Sequence, residues 1–123
     1  MASWEHRNLL GHLLVDPEAS NAVVDQLPDD PEIIQRTIAV LGENGWDMIG
    51  AANWDYRFRR QKGQELRRKW EYMSTQGQRQ IRYRAIGEIL LEEREADDKS
   101  MLNQGWLPVA LVDGWRLYKR PVV

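Results

Sequence analysis

A segment that occurs twice is the feature of this sequence that most restricts its fold. Residues 45–61 match residues 105–121 at an offset of 60, without gaps. The matched pairs fall on a Gly-Trp dipeptide, a turn and a basic strand end: Gly45 with Gly105, Trp46 with Trp106, Ile49 with Val109, Asn53 with Asp113, Phe58 with Tyr118, Arg59 with Lys119 and Arg60 with Arg120. Backbone geometry constrains such positions, so the matches indicate a tandem duplication. Strict identities are few, and chance similarity is the alternative.

The first strands of the two copies align at an offset of 76: Leu10-Gly11 with Ile86-Gly87, and residues 13–16 with residues 89–92. The extra 16 residues are explained if the second copy lacks a short first helix. Each copy is then predicted to be a strand–helix–strand–strand unit. We expect one α+β domain over residues 1–123, in which about six strands form a mainly antiparallel sheet with helices packed on one face. Its parts are a first repeat unit at 1–61, a helical insert and linker at 62–79 and a second repeat unit at 80–123.

Helix signals place the remaining elements. Two Asp-Pro-Glu triplets, at 16–18 and 30–32, combine an N-cap, a proline suited to the first helical position and an acid suited to the helix dipole. The first predicts a short helix to Leu27, and the second a longer helix that Gly45 ends. Helical spacing of Leu66, Trp70 and Met73 predicts a helix over 64–73. A charged helix is expected over 92–104, and strands over 4–15, 46–51, 54–60 and 81–91, followed by a hairpin from Trp106 through Asp113-Gly114 to Arg120.

Composition excludes several classes of protein and site. The chain has no cysteine, which removes disulfides and thiolate metal sites, and two histidines, too few for a histidine-built metal site. No run of 18 apolar residues occurs, and the first seven residues lack the apolar core of a signal peptide. We expect a soluble, cytoplasmic protein without cofactor or metal.

The charges are segregated along the chain. Residues 1–54 carry two basic and nine acidic side chains, residues 55–84 carry ten and three, and residues 85–123 carry five and seven. Such asymmetry indicates an anion-binding face or pairing of oppositely charged surfaces between subunits. A solvated surface that neutralises itself within one fold is the alternative.

Residues 41–49, Leu-Gly-Glu-Asn-Gly-Trp-Asp-Met-Ile, resemble the signature of a family of small bacterial and phage domains. Those domains carry a Leu-Gly-x-x-Gly-Trp-Glu-Leu-Val core and end in an aromatic-Lys-Arg strand, to which residues 57–60 and 117–121 are similar. The resemblance covers residues 31–61 well and 105–121 partly. It departs at Asp47, at Leu107-Pro108 and over 62–80. It implies strand–helix–strand–strand units in a degenerate tandem pair and implies no activity, because the family is uncharacterised and has no catalytic residues to carry over.

The Gly-Trp motif has a packing explanation, since glycine allows a sharp helix-to-strand turn and tryptophan fills the corner. We therefore expect Trp46 and Trp106 in the core. The sequence contains no strong candidate for a catalytic group. His6 and His12 are expected on one strand face without a triad partner, the acidic pairs suit helix starts or a solvated helix, and no phosphate loop is present. We expect no enzyme activity.

The basic segment is the candidate ligand site. Arginine side chains bind phosphates through two hydrogen bonds, and aromatic rings stack on bases. Arg57 with Arg59, and Arg82 with Arg84, are expected as paired displays on adjacent strands. The candidate ligand-binding residues are Arg57, Arg59, Arg60, Arg82, Arg84, Tyr56 and Tyr83.

Two functions fit these features. The first is a binding module, expected to be a homo-oligomer, that captures a nucleotide-like small molecule or a nucleic acid. The second is a protein–protein interaction or assembly module, such as a phage or bacterial inhibitor or adaptor, in which the charges and tryptophans serve interfaces.

Overall fold

The computed structural model describes residues 3–52, 55–63, 68–76, 79–93, 98–112 and 114–122. The strands in these ranges are β1 (Trp4–Leu10), β2 (Leu13–Asp16), β3 (Ala22–Gln26), β4 (Asp47–Ala52), β5 (Asp55–Gln61), β6 (Trp70–Gln76), β7 (Arg79–Arg82), β8 (Leu90–Glu93), β9 (Leu107–Val112) and β10 (Trp115–Pro121). The helices are α1 (Pro31–Glu43) and α2 (Asp98–Asn103), and Pro17–Ala19 form a 3-10 turn. No helix in the described ranges is long and apolar enough to cross a membrane.

Two five-stranded antiparallel sheets divide these strands between the two halves of the chain. Their orders are β3-β2-β1-β5-β4 and β8-β7-β6-β10-β9. The order is the same in both halves, and each helix lies between the third and fourth strands of its half. The expectation of one sheet of about six strands is therefore wrong, because each half contributes five strands to a sheet of its own.

The first half contains two more strands than the sequence pattern indicated. The predicted strand over 4–15 is a hairpin, because Gly11 has a φ of 59° and reverses the chain between β1 and β2. The helix predicted from Asp16 is limited to the 3-10 turn, although the Asp16 carboxylate does accept a hydrogen bond from the Glu18 amide. Ser20 and Asn21 both have positive φ, which turns the chain into β3, where valines favour extended backbone.

The second sheet begins inside the segment predicted as a helical insert. Residues 70–76 form β6, so the helix predicted over 64–73 is wrong for residues 70–73, whereas residues 64–67 lie outside the described ranges. Strand β6 buries four consecutive side chains, Tyr72, Met73, Ser74 and Thr75. A strand that is buried on both faces lacks the polar–apolar alternation that indicates a strand. The expected start of the second unit, at residue 80, lies beyond β6.

Strand register shows how the two halves correspond. Glu5 lies opposite Arg60, and Glu71 lies opposite Arg120, so the first strands correspond at an offset of 66 rather than 76. Gly87, expected to match Gly11, instead lies between β7 and β8. The strand predicted over 81–91 is interrupted there, since β7 ends at residue 82 and β8 begins at residue 90. Of the helix predicted over 92–104, residues 98–103 form α2, residues 92–93 belong to β8, and residues 94–97 lie outside the described ranges.

Both helices end through the same backbone hydrogen bonds. Gly45 and Gly105 each have a φ of 87°. The corresponding amide-to-carbonyl bonds are Gly45 to Gly42 (3.0 Å) and Trp46 to Leu41 (2.9 Å) in the first half, and Gly105 to Leu102 (3.0 Å) and Trp106 to Met101 (3.0 Å) in the second. Trp46 is 5% exposed and Trp106 is 2% exposed, which confirms their expected core positions.

The main core lies between the two halves. Helix α1 contributes Ile38, Ala39 and Leu41 to it; the first sheet contributes Leu9, Met48 and Phe58; and the second contributes Tyr72, Tyr83 and Leu117. Gly42 lets α1 approach β6, because a Cβ there would lie 2.2 Å from the Trp70 carbonyl oxygen. A smaller core of Met73, Met101, Trp106 and Tyr118 belongs to the second half alone. The two halves thus share one core that is built around α1.

Candidate functional site

Arg60 and Arg120 occupy matching structural positions in the two halves. Arg60 Nε donates to Glu5 Oε1 at 2.6 Å, and one terminal nitrogen donates to the Asn44 carbonyl at 3.1 Å. Its guanidinium carbon lies 4.3 Å from the centre of the Trp46 ring.

The second half repeats each of these contacts. Arg120 Nε donates to Glu71, and a terminal nitrogen donates to the Gln104 carbonyl at 3.0 Å. Its guanidinium carbon lies 4.2 Å from the centre of the Trp106 ring. The hydrogen-bond donors of Arg60 therefore connect β5 to the end of α1, and those of Arg120 connect β10 to the end of α2.

Arg57 and Arg59 lie on the other face of β5. Arg57 is exposed and lies against Gly50, and the Arg59 guanidinium carbon lies 4.3 Å from the centre of the Trp4 ring. Arg59 Nε is buried and has no hydrogen-bond partner in the described part of the chain. These two side chains form the paired display that alternation along a strand predicted.

The two arginine pairs do not lie on adjacent strands, and that prediction is wrong. Strand β5 pairs with β1 and β4 in the first sheet, whereas β7 pairs with β6 and β8 in the second. Arg84 also lies beyond the end of β7, so Arg82 and Arg84 do not share a strand face. The seven candidate residues are thus distributed over separate surfaces.

A basic cleft contains three of the seven candidates. Its volume is about 860 Å³, and it lies between the C-terminal half of α1, the start of β6 and the segment after β7. We define the basic cleft by its cations and the aromatic and apolar side chains beside them: Lys69, Trp70, Arg82, Tyr83, Arg84 and Ile86. The lining acids are Glu43 and Glu71. Arg84 and Lys69 are exposed, and Ile86 is 84% exposed at the rim.

The ion pairs around Glu71 determine the charge of the basic cleft. Glu71 Oε1 accepts from Arg120, and its Oε2 lies 3.3 Å from a terminal nitrogen of Arg82. One carboxylate therefore serves two guanidinium groups. A terminal nitrogen of Arg84 donates to the Glu88 carbonyl at 3.2 Å, a neutral acceptor. Within the described ranges no carboxylate forms an ion pair with Arg84.

An aromatic cleft contains the two candidate tyrosines. It has a volume of about 320 Å³ and lies between the N-terminal half of α1 and the start of β10. We define the aromatic cleft by Ile34, Ile38, Tyr56, Tyr83, Trp115 and Leu117, with Asp29 and Gln35 as polar lining groups. Tyr83 lines both clefts.

Two tyrosines are held in their protonated form. Burial raises the pKa of Tyr72 and the pKa of Tyr83 far above that of a free phenol. The Tyr72 hydroxyl donates to the Trp46 carbonyl at 2.6 Å and accepts from the Met48 amide at 2.8 Å. Tyr72 therefore joins β6 to the start of β4, and its role is structural.

The two histidines lie in different parts of the first half. His6 lies on β1, and its Nδ1 is 2.9 Å from Oε1 of Glu18. His12 lies in the turn between β1 and β2, so the prediction that both histidines share one strand face is wrong. Among the described residues, no group of three or more histidine, aspartate or glutamate side chains could hold a metal ion.

Sequence reasoning missed Lys69 and Trp70 as cleft residues because it placed them on a helix. One signal could have located them. The dipeptide Trp-Glu occurs at residues 4–5 and 70–71, an offset of 66 compared with 60 for the Gly-Trp dipeptide. Each glutamate binds the arginine that lies one residue before the end of β5 or β10.

Comparison with known proteins yields no relative: no protein-family model, curated protein or solved structure matches this chain.

Proposed function

We propose that this protein is a non-enzymatic binding module that captures a small anionic, nucleotide-like ligand in the basic cleft. The observation that carries the proposal is the convergence of Lys69, Arg82 and Arg84 on one open cleft beside Trp70. Arginine and lysine bind phosphate, and an aromatic ring offers a surface for a base.

The charge distribution supports an anion rather than a neutral ligand. Glu71 is held by Arg120 as well as by Arg82, so its charge is not left to oppose an anion. Among the described lining residues, Glu43 is the other acid, and the cations are three: Lys69, Arg82 and Arg84. An anion entering the basic cleft gains charge-assisted hydrogen bonds from Lys69 and Arg84, neither of which is paired with a carboxylate of the described residues.

The size of the basic cleft supports a ligand larger than a phosphate ion. Sites for small organic ligands usually enclose about 300–1,000 Å³, and the basic cleft lies within that range. Ile86 and the partly buried Trp70 offer apolar contact beside the cations. A phosphate on the cations with a ring near Trp70 satisfies both parts of the lining.

Titration calorimetry with adenosine monophosphate tests the proposal. Wild type should bind the nucleotide, and Arg84→Ala should weaken binding about tenfold or more, since one charge-assisted hydrogen bond contributes roughly 1.5–3 kcal/mol. Arg57→Ala is the matched control, because Arg57 is also exposed but lies outside the basic cleft. No heat of binding in wild type at low salt, or equal weakening in both variants, would contradict the proposal.

A nucleic-acid ligand is distinguished by its salt dependence. A short single-stranded oligonucleotide that contacts several phosphates loses affinity steeply with salt, by a slope of about −0.7 per contact. The basic cleft has three cations, so we expect a shallow slope and a preference for the mononucleotide. A steep salt dependence, corresponding to many phosphate contacts, would indicate that nucleic acid binds a basic surface larger than the basic cleft.

One observation favours the alternative function, an interaction or assembly module. Strand β3 is an edge strand whose five residues are all exposed, and Val23 and Val24 are 56% and 51% exposed. Unprotected edges pair readily with other strands. Light scattering across a concentration series, with Val24→Lys as the disrupting variant, tests whether a homo-oligomer forms through this edge.

We further infer that the fold belongs to the α+β class, with two related units and each helix packed on a sheet face. The corresponding helix ends and arginine contacts of the two halves support the duplication. Kinship with the small bacterial and phage domains and a cytoplasmic location are part of this proposal. A solved structure of such a domain and microscopy of a tagged chain would test them.

A further inference from the structure

The aromatic cleft differs from the basic cleft in chemistry. Ile34, Ile38 and Leu117 supply aliphatic surface, and Tyr56, Tyr83 and Trp115 supply rings. Asp29 is its one acidic lining residue, and no lysine, arginine or histidine lines it among the described residues. A negative ligand would meet a carboxylate and no compensating cation. We propose that the aromatic cleft binds a neutral small molecule that contains a ring system.

The volume of the aromatic cleft limits the size of its ligand. A buried protein cavity of about 150 Å³ holds one benzene molecule. The aromatic cleft, at about 320 Å³, offers roughly twice that space, which fits two fused rings. Ring pairs gain about 0.5–1.5 kcal/mol beyond their buried area when they meet edge-to-face or offset, and the three aromatic side chains allow such contacts.

The position of the aromatic cleft links binding to the packing of the two halves. Ile34 and Tyr56 come from the first half, whereas Tyr83 and Trp115 come from the second. The cleft exists only while both halves pack around α1. A ligand that binds there stabilises the folded chain, as any ligand selective for the native state does.

Indole is a suitable probe because it is neutral and has two fused rings. In saturation-transfer NMR with millimolar indole, wild type should transfer signal to the indole protons. The melting temperature should rise with indole concentration, as the logarithm of that concentration once the site is nearly full. Indole-3-acetate, which adds a carboxylate to the same ring system, should bind about tenfold more weakly because it meets Asp29 without a cation. No transfer to indole, or equal or stronger binding of indole-3-acetate, would overturn the proposal.

Two substitutions on α1 locate the probe. Ile34→Trp fills the aromatic cleft and should abolish indole binding, whereas Val40→Trp adds the same side chain at an exposed position of the same helix and should leave binding within about twofold. If Ile34→Trp does not fold, Tyr56→Ala removes one ring of the wall and should weaken binding about tenfold. Binding that survives both cleft substitutions would place indole elsewhere and overturn the proposal. The result for the basic cleft is independent, since its probe is a nucleotide.

Discussion

Replacement of Gly42 by alanine tests how tightly α1 packs on β6. The added Cβ would lie 2.2 Å from the Trp70 carbonyl oxygen and 2.8 Å from the Tyr72 ring. A carbonyl in a paired strand cannot turn away as a flexible side chain can, so the helix must move by about 1 Å to restore ordinary contact.

The expected loss follows from two opposing terms. Overpacking of a core contact costs about 1–3 kcal/mol, and we take the upper end because backbone is involved. Alanine stabilises a helix interior by about 1 kcal/mol relative to glycine, which leaves a net loss of about 2 kcal/mol. For a chain of this length, 1 kcal/mol corresponds to about 4 °C in melting temperature, so Gly42→Ala should melt about 8 °C below wild type.

Thermal unfolding followed by circular dichroism measures this shift. Gly50→Ala is the matched control, because the atoms nearest to the Cβ it adds belong to the movable guanidinium of Arg57, at 2.7 Å. We expect the control to melt at or slightly above the wild-type temperature, since alanine is less costly than glycine in a strand. A Gly42→Ala melting temperature within about 2 °C of wild type, or above it, would refute the packing argument.

Three further predictions concern buried and charged groups. Tyr72→Phe leaves the Trp46 carbonyl and the Met48 amide without their buried partner, so denaturant unfolding should show a loss of about 2–4 kcal/mol. Because the folded-state pKa of Tyr72 and of Tyr83 is raised, their contribution to stability is complete below about pH 10 and should be lost as the pH rises above it. Stability that stays constant from pH 9 to 11.5 would contradict this sign. Glu71→Gln should cost about 1 kcal/mol of stability yet tighten nucleotide binding, because it releases the Arg82 guanidinium from its ion pair. Weaker binding in this variant would argue against the basic cleft.

Capping residues and glycines in the sequence correctly predicted where α1 begins and ends. The Asp30 cap forms as expected, and Gly45 ends α1 in the left-handed conformation that its position before Trp46 predicted. The same kind of signal misled at Asp16, where the capping hydrogen bond forms but only one 3-10 turn follows. A cap supplies about 1 kcal/mol, and pairing β3 into a sheet outweighs it.

Strand β6 could not be predicted from the sequence pattern, because its structure depends on tertiary contacts. Residues 70–73 carry helical spacing, but β6 lies at the centre of its sheet with both faces covered, so periodicity does not distinguish the two structures. The sequence indicated which residues could bind an anion, but not which of them lie together in one cleft. The phosphate-binding chemistry of arginine correctly indicated Arg82 and Arg84 as cleft residues. Which arginines instead bind a carboxylate of the protein depends on strand register. The register places Arg60 opposite Glu5, so Arg60 is engaged in an ion pair.

Native mass spectrometry of the purified protein, compared with its denatured mass, tests ligand capture by the basic cleft most directly. We expect a non-covalent mass excess of nucleotide size in wild type and in Arg57→Ala, and its loss in Arg84→Ala purified in the same way. A wild-type protein without excess mass, present as one uniform oligomer, would contradict the binding role and favour assembly through an interface such as β3.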